Sequence, residues 1–268
     1  MNQPIITIFC SFTRRWAVDD WIKDLATVKH DPALTNLCFI VDCNEHYILT
    51  TLRKFAEENN YRSCHVRINE EWSPNEVRLA IRRARIAEVK NQSKELIAQA
   101  DGEIVISLED DTVMARLDSF DSLINPLLWD NAVGFVEGVQ MGRWGANIIG
   151  AWQVDDIDNP LEIKTLLPKT GYEEISGGGF YGYATRKNLY LSHDYFTSTA
   201  QPHGPDVNYG IWLNRLKYKC LIDWNTVFGH NDFGNVAYPE QHKLAQVIFN
   251  KNLSTGKWER TDNEPNRY

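Results

Sequence analysis

Three consecutive carboxylates, Glu109, Asp110 and Asp111, follow a short apolar run in the segment VISLEDDTV, residues 105–113. Like charges this close repel one another, so a cation is the natural way to hold all three ionised. Oxygen ligands favour a hard ion such as Mg²⁺ or Mn²⁺, which commonly binds through one or two carboxylates together with a substrate's phosphates. A second interpretation stays open on spacing alone, namely a solvated acidic turn before the next helix.

The acidic triplet ends the last of four predicted strands in the first part of the chain. These strands span residues 5–12, 37–41, 63–68 and 103–108, and helical patterns separate them at 16–29, 45–59 and 74–100. Short buried strands that alternate with helices predict a parallel sheet with helices on both faces. In such a sheet the ligand lies beyond the carboxyl ends of the strands. Ser11, Thr13, Asp42 and the triplet all stand at that edge.

The sequence changes in character after about residue 118. The patterns predict a helix over 118–129, a strand over 132–139, an aromatic strand over 180–183 after three glycines, a helix over 206–216, a strand over 219–224 and its exit loop over 227–232. The final stretch has no strong period and is interpreted as a lid or a fraying tail. Since no linker or repeat divides the chain, we expect one large α/β domain.

Bulk composition argues against several classes of protein. The chain has 268 residues and a net charge of −8, which argues against nucleic acid or an anionic membrane as the main partner. The five cysteines are an odd count without Cys-x-x-Cys spacing, which indicates reduced thiols in a cytoplasmic-type compartment. No basic segment precedes the first apolar run, and no stretch reaches the roughly 18 apolar residues of a membrane span. We therefore expect a soluble cytoplasmic protein without a signal peptide.

The order of the segments resembles a GT-A glycosyltransferase of the family-2-like kind, in the nucleotide-diphospho-sugar transferase superfamily. The matching pieces are the strand ending in Leu-Glu-Asp-Asp, a D-x-D type triplet, then Gly177-Gly178-Gly179, Gly204-Pro205-Asp206 opening a helix, and Val227-Phe228-Gly229-His230 after a strand. The resemblance covers roughly residues 4–232 and implies a Rossmann-like, mostly parallel central sheet flanked by helices. It implies a catalytic domain over 1–235, with a nucleotide-binding half to 115 and an acceptor and metal half from 116, and a tail or lid over 236–268.

The resemblance assigns metal and donor roles to individual residues. Asp111 would contact a Mn²⁺ or Mg²⁺ ion, and His230 occupies the family's third metal-ligand position, where the alternative is a structural histidine. The residues implied to bind the nucleotide-sugar donor are Ser11, Thr13, Asp42, Arg85, Glu109, Asp110, Gly178 and Gly179.

The donor is expected to be a UDP-sugar, because Asp42 matches the acid that accepts the imide N–H of uracil. An Asx-turn before the next helix is the alternative for this residue. Arg85 shares one face of the predicted helix with Arg78 and Arg82, and the family often places an arginine near the diphosphate there. A solvated basic face remains the alternative for Arg82 and Arg83. Stacking of Trp144, Trp152, Phe180 and Tyr181 on sugar faces is a further hypothesis.

Asp206 occupies the position of the family's catalytic base. An inverting transfer needs a carboxylate that takes the proton of the acceptor hydroxyl while its oxygen attacks the anomeric carbon. Simple capping of the helix is the alternative role. The resemblance therefore implies a metal-dependent, inverting sugar transfer to an acceptor hydroxyl. The acceptor class stays open among a saccharide, a protein and a modified DNA base.

Two other functions compete with this one. A nucleotidyltransferase or sugar-nucleotide pyrophosphorylase shares an α/β nucleotide half, but it usually opens with a Gly-rich loop after the first strand, and CSFTRRW at residues 10–16 contains no glycine. A non-catalytic nucleotide-sugar-binding protein would keep Asp42 and need neither Asp206 nor His230.

Overall fold

The computed structural model describes residues 3–42, 46–69, 79–140, 148–154, 160–164, 170–196, 204–232, 235–237, 249–251 and 258–260. Strands and helices alternate in the first part of the chain: β1 (Ile6–Phe12), α1 (Val18–Thr27), β2 (Thr35–Asp42), α2 (His46–Glu58), β3 (Ser63–Asn69), α3 (Leu79–Gln99) and β4 (Ile104–Glu109). This confirms the predicted alternation up to the acidic triplet.

The second part is richer in short strands. Its elements are β5 (Thr112–Val113), α4 (Asp121–Trp129), β6 (Val133–Val139), β7 (Ile148–Val154), β8 (Pro160–Lys164), β9 (Tyr172–Ile175), β10 (Gly177–Gly178), β11 (Gly182–Arg186), α5 (Lys187–Ser192), α6 (Pro205–Arg215), β12 (Lys219–Val227), β13 (Gly229–Asp232), β14 (Asn235–Ala237), β15 (Phe249–Lys251) and β16 (Trp258–Arg260).

A mixed central sheet of eight strands runs in the order β3-β2-β1-β4-β11-β6-β12-β9. Strands β1 to β4 are parallel to one another, whereas β11 is antiparallel to both β4 and β6. The chain moves outward from β1 to β3 and then returns to place β4 on the other side of β1. The strand order therefore reverses between β1 and β4, which is where ligands bind in open α/β sheets.

Apolar cores cover both faces of the sheet. On one face Trp21 of α1 packs edge-on against Phe12 and Phe39, with ring centroids 5.2 and 5.9 Å apart. The other face packs against α3, α5 and α6 through residues such as Ile97 and Tyr209. Because side chains alternate along a strand, β4 turns Ile106 and Leu108 to the first face and Ser107 and Glu109 to the second. The end of β4 thus has a polar face toward α3.

Three details of the predicted elements are wrong. The aromatic strand predicted over 180–183 lies at Gly182–Arg186, because the preceding glycines pair with β7 as the separate strand β10. The predicted exit loop over 227–232 contains β13, which pairs with β5 and β14. The stretch between the predicted strands over 132–139 and 180–183, which the sequence indicated to be irregular and rich in Gly, Trp and Tyr, contains β7, β8 and β9.

Two bulk expectations can be compared with the described residues. Cys10, Cys38, Cys64 and Cys220 are free thiols, and Cys43 lies outside the described residues. Within the described part of the chain, no helix combines the length and apolar character needed to cross a membrane.

Candidate active site

Asp110 fastens the loop after β1 to the end of β4. Ser11 of β1 is level with Glu109 of β4 in the parallel register, so the two strands end side by side. The Asp110 Oδ2 atom accepts hydrogen bonds from the backbone N–H groups of Thr13 and Arg14 at 2.8 and 3.0 Å, and from the Thr13 hydroxyl at 3.2 Å. Asp110 therefore holds this loop, and its predicted contact with a donor stays a prediction.

A guanidinium group lies between two acids of the triplet. Arg14 Nη1 pairs with Asp110 Oδ1 and lies 2.7 Å from Asp111 Oδ2. Both carboxylates are buried, with side chains 5% and 0% exposed. The chain itself thus supplies one of the positive charges that adjacent buried acids require.

The pairing of β5 with β13 brings Asp111 and His230 together. His230 is level with Thr112 in the antiparallel register, and the Asn231 N–H donates to the Asp111 carbonyl at 2.8 Å. As a result His230 Nε2 lies 3.2 Å from Asp111 Oδ2. The structure therefore joins the two residues that the sequence suggested as metal ligands.

The Asp111 and His230 pair fits a divalent ion. Two ligands at right angles on an octahedral ion with bonds of about 2.1 Å lie about 3.0 Å apart, close to the observed separation of 3.2 Å. Within the described residues, no group of three or more His, Cys, Asp or Glu side chains forms a metal cluster. An ion held by this pair would take its other ligands from water and from phosphates, as Mg²⁺ and Mn²⁺ commonly do.

Glu109 is the third acid of the triplet and faces α3. Burial raises its pKa to about 7, and the neighbouring Asp111 contributes to the rise. Near neutral pH this carboxyl can therefore either donate or accept a hydrogen bond, which suits a contact with a sugar hydroxyl.

Asp206 stands at the start of α6 but does not cap it. Gly204 is the N-cap residue and Pro205 begins the helix, while Asp206 Oδ1 accepts a hydrogen bond from the Val207 N–H at 3.0 Å. Burial raises the pKa of Asp206, whereas the positive charges of Arg83 and Lys90 on α3 lower it. A carboxylate with a raised pKa is suited to accept a proton near neutral pH.

The glycines of β10 lie against a buried acid. A Cβ atom added to Gly178 would overlap the carboxylate of Glu137, a β6 residue whose exposed fraction is 0%. Neither Glu137 oxygen has a well-formed hydrogen bond among the described residues, although the Tyr181 hydroxyl and the Gly179 N–H face it. The absence of a side chain at Gly178 is thus required by Glu137. The predicted approach of Gly178 and Gly179 to a donor sugar remains a prediction.

The remaining predicted residues that the structure describes lie at the end of β2, on α3 and in the core. Asp42 ends β2 opposite Asn69, and its side chain is outside the described part. Arg85 lies 3.8 Å from Glu88 on its own helix. Phe180 and Tyr181 are 4% and 8% exposed, so they pack in the core and do not present a ring face to a sugar. Arg78, the Arg82 side chain and Trp144 lie outside the described residues.

Besides Arg14, three charged residues around this site were given no part in it by sequence reasoning. Arg83 was assigned to a solvated face, and Lys90 and Glu137 were not selected at all. Glu137 gives a signal in retrospect, because it interrupts the otherwise apolar strand VGFVEGV. Lys90 gives none, since a lysine within a helical pattern is ordinary.

Comparison with solved structures shows the GT-A fold of nucleotide-sugar transferases. GalNAc-T7, solved with UDP, GalNAc and Mn²⁺, matches at a TM-score of 0.60 and 13% identity over 85% of this chain and 44% of that one. A mannosyltransferase from Pyrobaculum calidifontis, solved with GDP-Man and Mn²⁺, matches at 0.51 and 14% over 81% and 54%. Glucosyl-3-phosphoglycerate synthase from Mycobacterium tuberculosis matches at 0.50 and 15% over 85% and 72%.

The chain spans about half the length of the first two of these enzymes. Neither a family model nor a curated protein sequence matches it.

Proposed function

We propose that the protein is a metal-dependent glycosyltransferase that moves a sugar from a nucleotide-diphosphate donor, a UDP-sugar, to an acceptor hydroxyl with inversion. The observation that carries the proposal is the meeting of Asp111 with His230 at the edge of the sheet where the strand order reverses. A nucleotide diphosphate and a divalent ion are the ligands that this arrangement suits best. Neighbours of the same fold hold GDP-Man or UDP together with Mn²⁺, which supports the choice of ligands.

Asp111 and His230 would hold the ion, which when bound stabilises the negative charge that develops on the departing diphosphate. The donor would lie along the ends of β1, β2 and β4. Ser11, Thr13 and Asp42 would contact its nucleotide, Arg85 its diphosphate, and Glu109, Asp110, Gly178 and Gly179 its sugar or ribose.

Asp206 would act as the base. Its carboxylate accepts the proton of the acceptor hydroxyl as that oxygen bonds to the anomeric carbon, and the bond from that carbon to the diphosphate breaks. The raised pKa of Asp206, caused by burial, matches this task.

Incubation of the full chain with Mn²⁺ and a panel of nucleotide sugars tests the proposal. We expect donor hydrolysis or transfer with one UDP-sugar, and a rise in the thermal unfolding temperature that needs both UDP and Mn²⁺. The absence of turnover and of any metal-dependent shift across the panel would refute the proposal. Release of pyrophosphate from a nucleoside triphosphate and a sugar phosphate would instead indicate a nucleotidyltransferase.

Two substitutions separate the assigned roles. Asp111→Asn should abolish metal-dependent binding of UDP, which calorimetry measures directly. Asp206→Asn should leave that binding unchanged but lower transfer by about 10²-fold or more, the usual contribution of a general base. Unchanged transfer by Asp206→Asn would remove this residue from the mechanism.

A further inference from the structure

Lys90 of α3 is a buried lysine that has no role in the reaction proposed above. Its exposed fraction is 5%, whereas lysines are almost never fully buried unless they are paired. Among the described residues, the hydrogen-bond acceptor of its Nζ atom is Ser107 Oγ, at 2.5 Å. Ser107 lies two residues before Glu109 on the same face of β4. The ammonium group therefore lies on the side of β4 that Glu109 also faces.

Aromatic rings surround the Lys90 ammonium group. The Nζ atom lies 5.0, 4.6, 5.2 and 6.0 Å from the ring centroids of Phe9, Phe180, Tyr183 and Tyr190. Cations are attracted to ring faces within about 6 Å, and more strongly where water is excluded. These four rings, here called the aromatic box, form an enclosure suited to a positive charge.

The acids that face Lys90 belong to the candidate active site. Burial lowers the pKa of Lys90 to about 7, while the negative charges of Glu109 and Asp206 act in the opposite direction. The neighbouring Cys10 thiol is neutral near pH 7, because burial raises its pKa well above the ordinary value. Tyr183 and Tyr190 complete the set of titratable groups around it. An apolar side chain would fill the aromatic box without the desolvation cost of an amine, so packing alone does not explain a lysine here.

Asp206 is a second acid close to this charge, and it must be ionised to accept a proton. Tyr209, three residues after Asp206 on α6, packs against Phe180 of the aromatic box with ring centroids 6.2 Å apart. The charged groups around it are Arg83 and Lys90 from α3 and Glu137 from β6. Arg83 and Lys90 are seven residues apart, so they share one face of α3. Lys90 is the buried member of this pair, and the aromatic box fixes its position.

We propose that Lys90 is a positioning residue that acts on Asp206 through its charge: a buried ammonium group, held by the aromatic box and Ser107, that favours the ionised form of this carboxylate. Lys90 contacts neither donor nor acceptor in this role and transfers no proton. The inference rests on the proposed function, since Asp206 acts as a base only in that function.

An NMR titration tests the electrostatic link without any turnover. In the full chain with ¹³C-labelled lysine, we expect one lysine signal, absent from Lys90→Met, that titrates near neutral pH. In Asp206→Asn its midpoint should move to lower pH by about half a pH unit or more, because a nearby anion favours the ammonium form. An unmoved midpoint would overturn the inference, even if the protein proves to be a transferase.

Kinetics of Lys90→Met test the consequence for the reaction. We expect binding of UDP and Mn²⁺ to stay within about twofold, and kcat at mildly acid pH to fall by about tenfold. The acid limb of the kcat/KM profile should move to higher pH, because loss of a nearby cation raises the pKa of Asp206. A purely structural lysine would leave that limb in place, and this result would overturn the inference.

Lys94→Met is the matched control. Lys94 lies one turn further along α3, 5.6 Å from the Tyr195 ring centroid, but it pairs with the exposed Asp194 at 3.1 Å. The same loss of charge there should leave the pH profile unchanged, and an equal movement of the acid limb would contradict a local role for Lys90.

If Lys90→Met does not fold, as judged by thermal unfolding, Lys90→Gln replaces it, since its amide can keep the Ser107 hydrogen bond. The same two outcomes then decide.

Discussion

Arg14 and a metal ion would share one oxygen. Arg14 Nη1 lies 2.7 Å from Asp111 Oδ2, and His230 Nε2 lies 3.2 Å from the same atom. A divalent ion bound by Asp111 and His230 would therefore lie next to the guanidinium group that already contacts Asp111 Oδ2. Like charges at such range repel, so we expect Arg14 to oppose the binding of that ion.

Replacing Arg14 should tighten the binding of metal alone. We expect Arg14→Met to bind Mn²⁺ without nucleotide about tenfold more tightly than the wild type, equivalent to about 1.4 kcal/mol, because a competing cation is lost. Calorimetric titration measures this directly. Arg15→Met is the control, because it removes the same charge from the neighbouring, exposed residue above the Tyr47 ring. Equal or weaker binding by Arg14→Met would show that the guanidinium does not compete.

The sequence identified some site residues and missed others for a physical reason. The acidic triplet could be selected from its place after a predicted strand, and the family resemblance then singled out Asp111 and His230. The structure brings these two residues together. The hydrogen bonds that turn Asp110 toward the loop after β1 depend on the parallel pairing of β1 and β4. Lys90 looks like any helical lysine until four rings from β1, β11, α5 and the segment before β11 surround it.

Among the elements, β6 and β10 pack closely at Glu137 and Gly178. The Glu137 carboxylate occupies the space that a side chain at Gly178 would need. Since Glu137 is fully buried, it has no open direction in which to retreat. The spacing of these strands therefore depends on the absence of a Cβ atom at one position.

We expect Gly178→Ala to destabilise the protein by roughly 3 kcal/mol, at the upper end of the range for overpacked cores. Denaturant unfolding measures the change. Gly171→Ala is the control, because its added Cβ would meet no atom within 4 Å and only its φ of +77° is unfavourable, at a cost of about 1 kcal/mol. The double variant Gly178→Ala with Glu137→Ala should recover part of the loss. Strict additivity of the two changes would mean that the carboxylate is not the obstacle.

The elements of the first half were predictable because their signals are local. Apolar runs and helical periods of ordinary length determine β1 to β4 and the helices between them. The strands β7 to β10 are short or interrupted by glycine, and β9 and β10 pair with strands that do not adjoin them in the chain. The displaced strand β11 shows the limit, since Phe180 and Tyr181 have strand propensity but precede the residues that pair with β4 and β6.

At the scale of the whole molecule, buried acids lower the free energy of unfolding as the pH rises. Burial raises the pKa of Glu137 well above its ordinary value of 4.5 and that of Asp206 above 3.8. An acid with a higher pKa in the folded state binds protons more strongly there than in the unfolded chain. Its contribution to the free energy of unfolding is fully present below the pKa of the acid in the unfolded chain. That contribution is lost as the pH rises through the pKa in the folded state.

Glu137 and Asp206 should therefore raise the unfolding temperature of the metal-free protein more near pH 5 than near pH 8, opposite to the effect of His193, whose pKa burial lowers to about 4. Glu137→Gln should flatten this dependence and raise the unfolding temperature at pH 8 by roughly 3 °C, since a neutral amide removes the cost of a buried charge. Calorimetric scans across that range test it. A steeper dependence, or a lower unfolding temperature for Glu137→Gln at pH 8, would contradict the assignment. Glu174→Gln, an exposed acid on β9, is the control.

The attachment of the β1 loop to Asp110 limits how the protein can change its specificity. Thr13 and Arg14 are bound through their backbone N–H groups, so substitution of their side chains leaves two of the bonds to Asp110 in place. A shift of the loop itself would pull on Asp110 and displace Asp111 beside it. Under the proposed function, a new preference for the donor's nucleotide base is therefore expected to arise from the ends of β2 and β3, where residues can vary without moving Asp111 and His230.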